Sequence, residues 1–201
     1  MKYIITSFLM LLSLGLIQAQ ELTIGDAINK ASRQRMLAQR MMKCYIMIGT
    51  DTRVTQARRE LDESVAQFEE QILELLDFTP NEKVVQAIDE AQTVWAAYRI
   101  KIVSNPNKVT ALALLKLSDE LVEECDDIVT LLEKQAKVKA ANLVNLSGRQ
   151  SMLSQRIGML YLAYYWKLPN KEIYTELKKA NKEFEQALNQ LVASKLNTYC
   201  I

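Results

Sequence analysis

Within two helical turns of this 201-residue chain stand Arg33, Arg35, Gln39 and Arg40, the side chains whose types and spacing could do chemistry. A guanidinium presents parallel N–H groups and suits a small planar oxyanion such as nitrate, nitrite or a carboxylate, because two bonds form at once. On a helix of about 3.6 residues per turn, Ile24, Ile28, Ala31, Arg35, Ala38, Met42 and Tyr45 share one stripe, an apolar packing seam with Arg35 as the charge inside it. A guanidinium in a seam cannot shed its proton and is costly to desolvate unless an acceptor meets it. Two readings stay open from the residues alone. Either a carboxylate from a neighbouring helix faces Arg35, or a soluble anion enters the site.

Other chemistry is narrowed by what the chain lacks. It has no histidine, which removes most zinc, non-haem iron and copper(II) sites and the commonest general base. No Ser or Cys stands beside a recognisable base, so no enzyme activity is expected. The three cysteines, Cys44, Cys125 and Cys200, match no zinc or haem spacing. Cys44 and Cys125 read as buried small hydrophobes, and Cys200 as free to pair between chains. Met36, Met41, Met42, Cys44 and Met47 crowd two turns but point around the helix rather than to one centre, so no metal or other cofactor is expected. A formal charge of +1, zero once Lys2 is removed, gives no reason to expect nucleic acid or an anionic membrane surface as a partner.

The arginine stretch occurs twice. Asn29, Arg33, Gln34, Met36, Leu37, Gln39 and Arg40 reappear as Asn145, Arg149, Gln150, Met152, Leu153, Gln155 and Arg156, all displaced by 116 positions (29 to 145). The same displacement pairs Tyr45 with Tyr161, Glu60 with Glu176 and Phe68 with Phe184 without a gap, so duplication is the expected origin. At the place of Arg35 the second copy carries Ser151, in a small uncharged seam of Ala140, Val144, Ser147, Ser151, Ser154, Gly158 and Tyr161 that would allow close helix contact.

These residues need helices to position them. Strand-type alternation is absent, while Leu61, Val65, Phe68, Ile72 and Leu75, and again Leu177, Asn181, Phe184, Leu188 and Leu191, recur at coiled-coil-type spacing. Thr79-Pro80-Asn81-Glu82, Asn105-Pro106, Leu168-Pro169-Asn170 and Gly49-Thr50-Asp51 punctuate the chain. Helices are expected near 24–48, 52–77, 81–103, 107–167 and 170–196, the fourth kinked near 141–148. The fold class is all-α: an elongated up-and-down bundle, four-helix-bundle-like, with a duplicated motif helix pair. On its fourth helix, Asp119, Glu120, Glu123, Glu124, Asp126 and Asp127 form an acidic face, a solvated surface or a receiver for motif arginines. Residues 1–19, with Lys2 before an apolar run from Ile4 to Ile17, read as a signal peptide, with an uncleaved anchor as the minority reading. Residues 20–139 would hold the first motif copy and the bundle, and 140–201 a second, partial copy. The expected location is periplasmic or secreted.

Ala27 through Arg40, and Asn145 through Arg156 again, resemble the motif opening the periplasmic sensor domain of NarX-type nitrate sensor kinases and PilJ-type (type IV pilus) chemotaxis transducers. The resemblance implies a dimerising four-helix bundle with a small anion between the two first helices, held by the arginine before the motif Met, which is Arg35 here. By this reading Arg35, with Gln39, Arg33 and Arg40, contacts nitrate or nitrite, while Asn29, Met36, Asn145, Arg149, Gln150, Met152, Gln155 and Arg156 keep the motif's structure. Ser151 supplies no second guanidinium, so a two-arginine site would join two chains as a homodimer through the first motif helix. With no kinase or methyl-accepting region in the sequence, a membrane or periplasmic protein partner is expected to carry the signal. The alternative is a structural or protein-interaction bundle with the motif arginines in fixed salt bridges.

Overall fold

The structure, a computed structural model, describes residues 22–78, 81–136 and 139–194. The expected signal peptide at residues 1–19, Thr79-Pro80 and Cys200 lie outside the described residues. Six helices form: α1 (Ile24–Gly49), α2 (Val54–Phe78), α3 (Glu82–Ile102), α4 (Lys108–Ala136), α5 (Lys139–Tyr165) and α6 (Ile173–Val192). The fold is an elongated all-α bundle, with no strand among the described residues.

Local chemistry explains the helix ends. Thr23 caps α1 and shares a capping box with Asp26, each satisfying an N–H of the other. Asn81 caps α3 by accepting from the Lys83 and Val84 N–H groups. α1 stops at Gly49, and Asp51 and Arg53 turn the chain with φ of 52° and 46°. In place of the single span expected over 107–167 stand two helices, one ending at Ala136 and the next beginning at Lys139, ahead of the expected kink. Arg35 touches both Asp126 on α4 and Asn145 on α5, so the chain reverses between them. The reversal lets α5 bury its apolar face on α1, a tertiary gain that carries no Pro or Gly signal.

α1 is the centre. It packs against α2, α4 and α5, while α3 leans on α4 and α6 on α5. The seam Ile28, Ala31, Arg35, Ala38, Met42 and Tyr45 is buried along its length. On α2, Leu61, Val65, Phe68, Ile72 and Leu75 are buried as the spacing predicts, and Phe68 stacks on Trp95 of α3 with centroids 4.2 Å apart. The second copy is looser: on α6, Asn181 is exposed and Leu188 keeps 45% of its surface in solvent.

The serine seam of α5 is not a contact face. Ser147, Ser151, Ser154 and Tyr161 are exposed. In the first copy the equivalent face, with Ala31, Arg35 and Ala38, is covered by α4. The second copy has no counterpart of α3 and α4, so this face meets water, and small polar residues stand where the first copy buries apolar ones.

Cys44 and Cys125 are free thiols, 0% and 1% exposed. Burial pushes Cys44 up to about 11 and Cys125 up to about 12, which suppresses the nucleophilic thiolate. Both are expected to resist iodoacetamide at neutral pH in the folded protein and to alkylate once guanidinium unfolds it. Mass spectrometry showing rapid native labelling of either would contradict this packing.

Candidate functional site

The site grows from Arg35, which α1 holds at 2% exposure between α4 and α5. Its Nη1 donates to Asp126 Oδ1 of α4 and pairs with it in a salt bridge. Its Nη2 donates to Asn145 of α5, at 2.7 Å to Oδ1 and 3.3 Å to the backbone oxygen. Asn145 Nδ2 donates in turn to Glu133 Oε2 at 2.9 Å. One guanidinium thus ties three helices, and its charge is met by a carboxylate of the same chain. Arg35 Nε is buried without a partner, as is Ser32 Oγ beside it.

The junction is tight because Gly148 lies on Ser32. A Cβ at Gly148 would stand 2.6 Å from Ser32 Cβ and 3.3 Å from Arg35 Nη2. Further along, Lys43 Nζ donates to Gln155 Oε1 at 2.8 Å, and Gly49 lies against the Trp166 ring. Contacts that rise together in number mean that α1 and α5 run parallel. Ser32 and Gly148 are themselves one repeat apart, so the two motif helices face each other in the register of the repeat.

Each copy also closes its own hairpin in the same way. Gln34 Nε2 donates to the Phe68 carbonyl at 3.0 Å, and Gln150 Nε2 to the Phe184 carbonyl at 2.8 Å. Arg40 lies 4.0 Å from Glu60, and Arg156 3.2 Å from Glu176. Arg156 also pairs with Asp119 of α4. Burial works against its charge, yet its hydrogen bonds to Asp119 and Glu176 more than offset this and raise its pKa. Arg149 pairs with Glu183 at 3.1 Å, while the position equivalent to Glu183 in the first copy is the uncharged Gln67, and Arg33 is exposed.

The four residues expected to hold an anion are not brought together. Arg35 faces α4 and α5, and Gln39 donates to Ser118 of α4 at 3.2 Å. Arg40 faces α2, and Arg33 faces solvent. Of the motif residues, Asn145, Gln150, Gln155 and Arg156 make the ties described, Met152 is buried, Met36 packs against the core and Asn29 is exposed. Asp126 stood out in sequence only as one carboxylate of an acidic face. Glu133 gave no signal, because its role depends on where α5 docks.

Beside Arg35, a groove of about 740 Å³ opens between α4, α5 and α6. Its charged lining comprises seven carboxylates, among them Asp119, Glu123, Asp126 and Asp127, and four cations, Arg35, Arg149, Arg156 and Lys179. The three arginines are each paired to a carboxylate. A mouth with this excess of negative charge repels anions.

Residues 17–117, from before α1 into α4, match the family described as the N-terminal domain of type IV pili methyl-accepting chemotaxis transducers. The chain belongs to that family. No curated protein and no solved structure matches it. The family match takes in Arg35, Gln39 and the whole first motif. It stops short of Asp126 and Asn145, the groups that neutralise and orient the arginine. Transducer-type membership makes this a sensor or signalling module, in a family of periplasmic sensor domains.

Proposed function

We propose that the protein is an exported sensor-type module in which Arg35 is an internal tie and the α5–α6 hairpin is the element that responds. The observation that carries this reading is the guanidinium of Arg35, met on one side by Asp126 and on the other by Asn145 of the second motif. The resemblance implies a small anion held between the first helices of two subunits. Here α5 lies parallel to α1 in the repeat register, so one chain pairs its own two motif helices with one arginine instead of two. Arg35, through which a homodimer would join, is enclosed between α4 and α5, and the reading needs no second chain. A change in how α5–α6 sits on α1 is the output offered to a partner protein. No catalytic role is proposed.

Nitrate or nitrite binding is the second reading, favoured by one feature: the Asp126 side chain is half exposed at the groove, so an entering anion could displace it. Thermal unfolding with nitrate, nitrite and chloride at matched ionic strength separates the two. With the tie in place, none of the three is expected to shift the wild type specifically. A ligand at about a hundred times its dissociation constant would add about 2.7 kcal/mol, several degrees for a chain of this size. A nitrate- or nitrite-specific rise that vanishes in Arg35→Met would establish the anion reading and displace the tie.

A further inference from the structure

Of the ten large apolar side chains exposed among the described residues, seven lie at one end of the bundle. Ile100 and Val103 are at the close of α3 and Val109 at the opening of α4. The other four are tyrosines, Tyr161, Tyr164 and Tyr165 at the end of α5 and Tyr174 at the start of α6. These helix ends share one face. Gly49 lies against both Trp166 and Pro106, and Tyr45 Oη joins the Asn105 carbonyl and the Asn107 N–H. Lys101, Lys108, Lys167, Lys171 and Lys178 are exposed among the apolar groups, against two exposed carboxylates in the turns, Asp51 and Glu172. The tyrosines line a groove of about 560 Å³ whose only charged lining residues are Lys167 and Lys171. Lys178 Nζ sits 4.4 Å above the centre of the Tyr174 ring, itself 5.8 Å from that of Tyr164.

We propose that this end face docks on the surface of an anionic lipid bilayer. An exposed apolar set concentrated at one place marks an interaction surface. Interleaved lysines decide which kind, because protein interfaces gather apolar residues at a core and deplete lysine there. A headgroup region takes the opposite pattern. Tyrosine puts its ring into the apolar boundary and its hydroxyl into water, and lysine lays its stem along the same boundary with the ammonium among phosphates. The excess of positive charge on the face is the complement of such a surface. This inference does not depend on the role assigned to Arg35.

The test is co-sedimentation of the exported protein, as its host processes it, with vesicles of phosphatidylcholine containing phosphatidylglycerol and with vesicles of phosphatidylcholine alone. Retention is expected on the anionic vesicles only, falling as salt is raised. It should weaken by roughly tenfold or more in Lys167→Glu/Lys171→Glu/Lys178→Glu and in Tyr161→Ser/Tyr164→Ser/Tyr165→Ser. The lysine variant alters only exposed side chains, and unchanged helical circular dichroism would confirm that it folds. Equal retention on neutral vesicles, or retention untouched by both variants, would overturn the proposal, since another surface or the leader would then be responsible. A protein that leaves both kinds of vesicle alone would make this a protein-docking face, and the proposal falls.

Discussion

Asp126→Asn is expected to destabilise the protein by about 2–3 kcal/mol, more than Arg35→Met does, although Asp126 is the more exposed partner. Arg35 is 2% exposed and stays charged, while the Asp126 side chain keeps 50% of its surface in solvent. Removing the carboxylate charge leaves a buried cation with neutral acceptors alone, the two oxygens of Asn145 and the new amide, and a second carboxylate, Glu133, acting only through Asn145. Removing the cation instead leaves Asp126 free to turn to water, and Met fills much of the space. Loss of one partner of a fully buried pair costs about 3–5 kcal/mol, and the exposure of Asp126 places this pair below that range. The expected fall in Tm is about 5–10 °C for Asp126→Asn, with Arg35→Met the milder of the two because the carboxylate it leaves behind is half exposed and can hydrate. Urea unfolding of both single variants and the double would read the coupling directly. Should Arg35→Met prove the worse of the two, the bonds to Asn145 hold the junction, and charge neutralisation by Asp126 is secondary.

Much of this arrangement could be read from periodicity. The seam through Ile28, Arg35 and Tyr45 announced the buried face of α1, and the displacement of 116 positions paired Gln34 with Gln150, whose like bonds to the Phe68 and Phe184 carbonyls only the structure shows. Tertiary placement decided the rest. The serine seam of the second copy looked like a contact face because small residues permit close helix approach, yet that face stays wet for want of helices to cover it. Small residues do mark the true approach, at Gly148 on Ser32, but on a neighbouring stripe of α5. Similarly, the chain reversal after α4 has no local marker, because it is stabilised by what α5 gains on α1. Asp126 could be seen as part of an acidic stripe, but that α1 supplies the arginine for it follows only from the packing.

Gly148→Val should cost about 3 kcal/mol and loosen the α5–α6 hairpin before the rest of the bundle. Glycine within a helix is normally a weakness, and exchanging it for a residue with a Cβ gains some tenths of a kcal/mol in propensity, up to about 1 for Ala. Contact reverses the sign here. Even the first added carbon meets Ser32 Cβ at 2.6 Å, far inside van der Waals contact, and the Arg35 guanidinium at 3.3 Å. The two further methyls of Val have no room between parallel helices, so α5 must move off α1 and take the Asn145 bond to Arg35 with it. Amide exchange in the variant should therefore quicken in α5 and α6 while α3 and α4 keep their protection, which a uniform loss of stability would not produce. Rescue supplies the control. Ser32→Gly/Gly148→Ala moves the small residue to the other helix and removes the Cβ–Cβ clash, so the double variant is expected within about 1 kcal/mol of wild type, while Gly148→Ala alone falls below it. A Gly148→Ala protein as stable as wild type would mean that α1 and α5 do not meet in the repeat register, and the one-chain pairing of the two motifs would have to be abandoned.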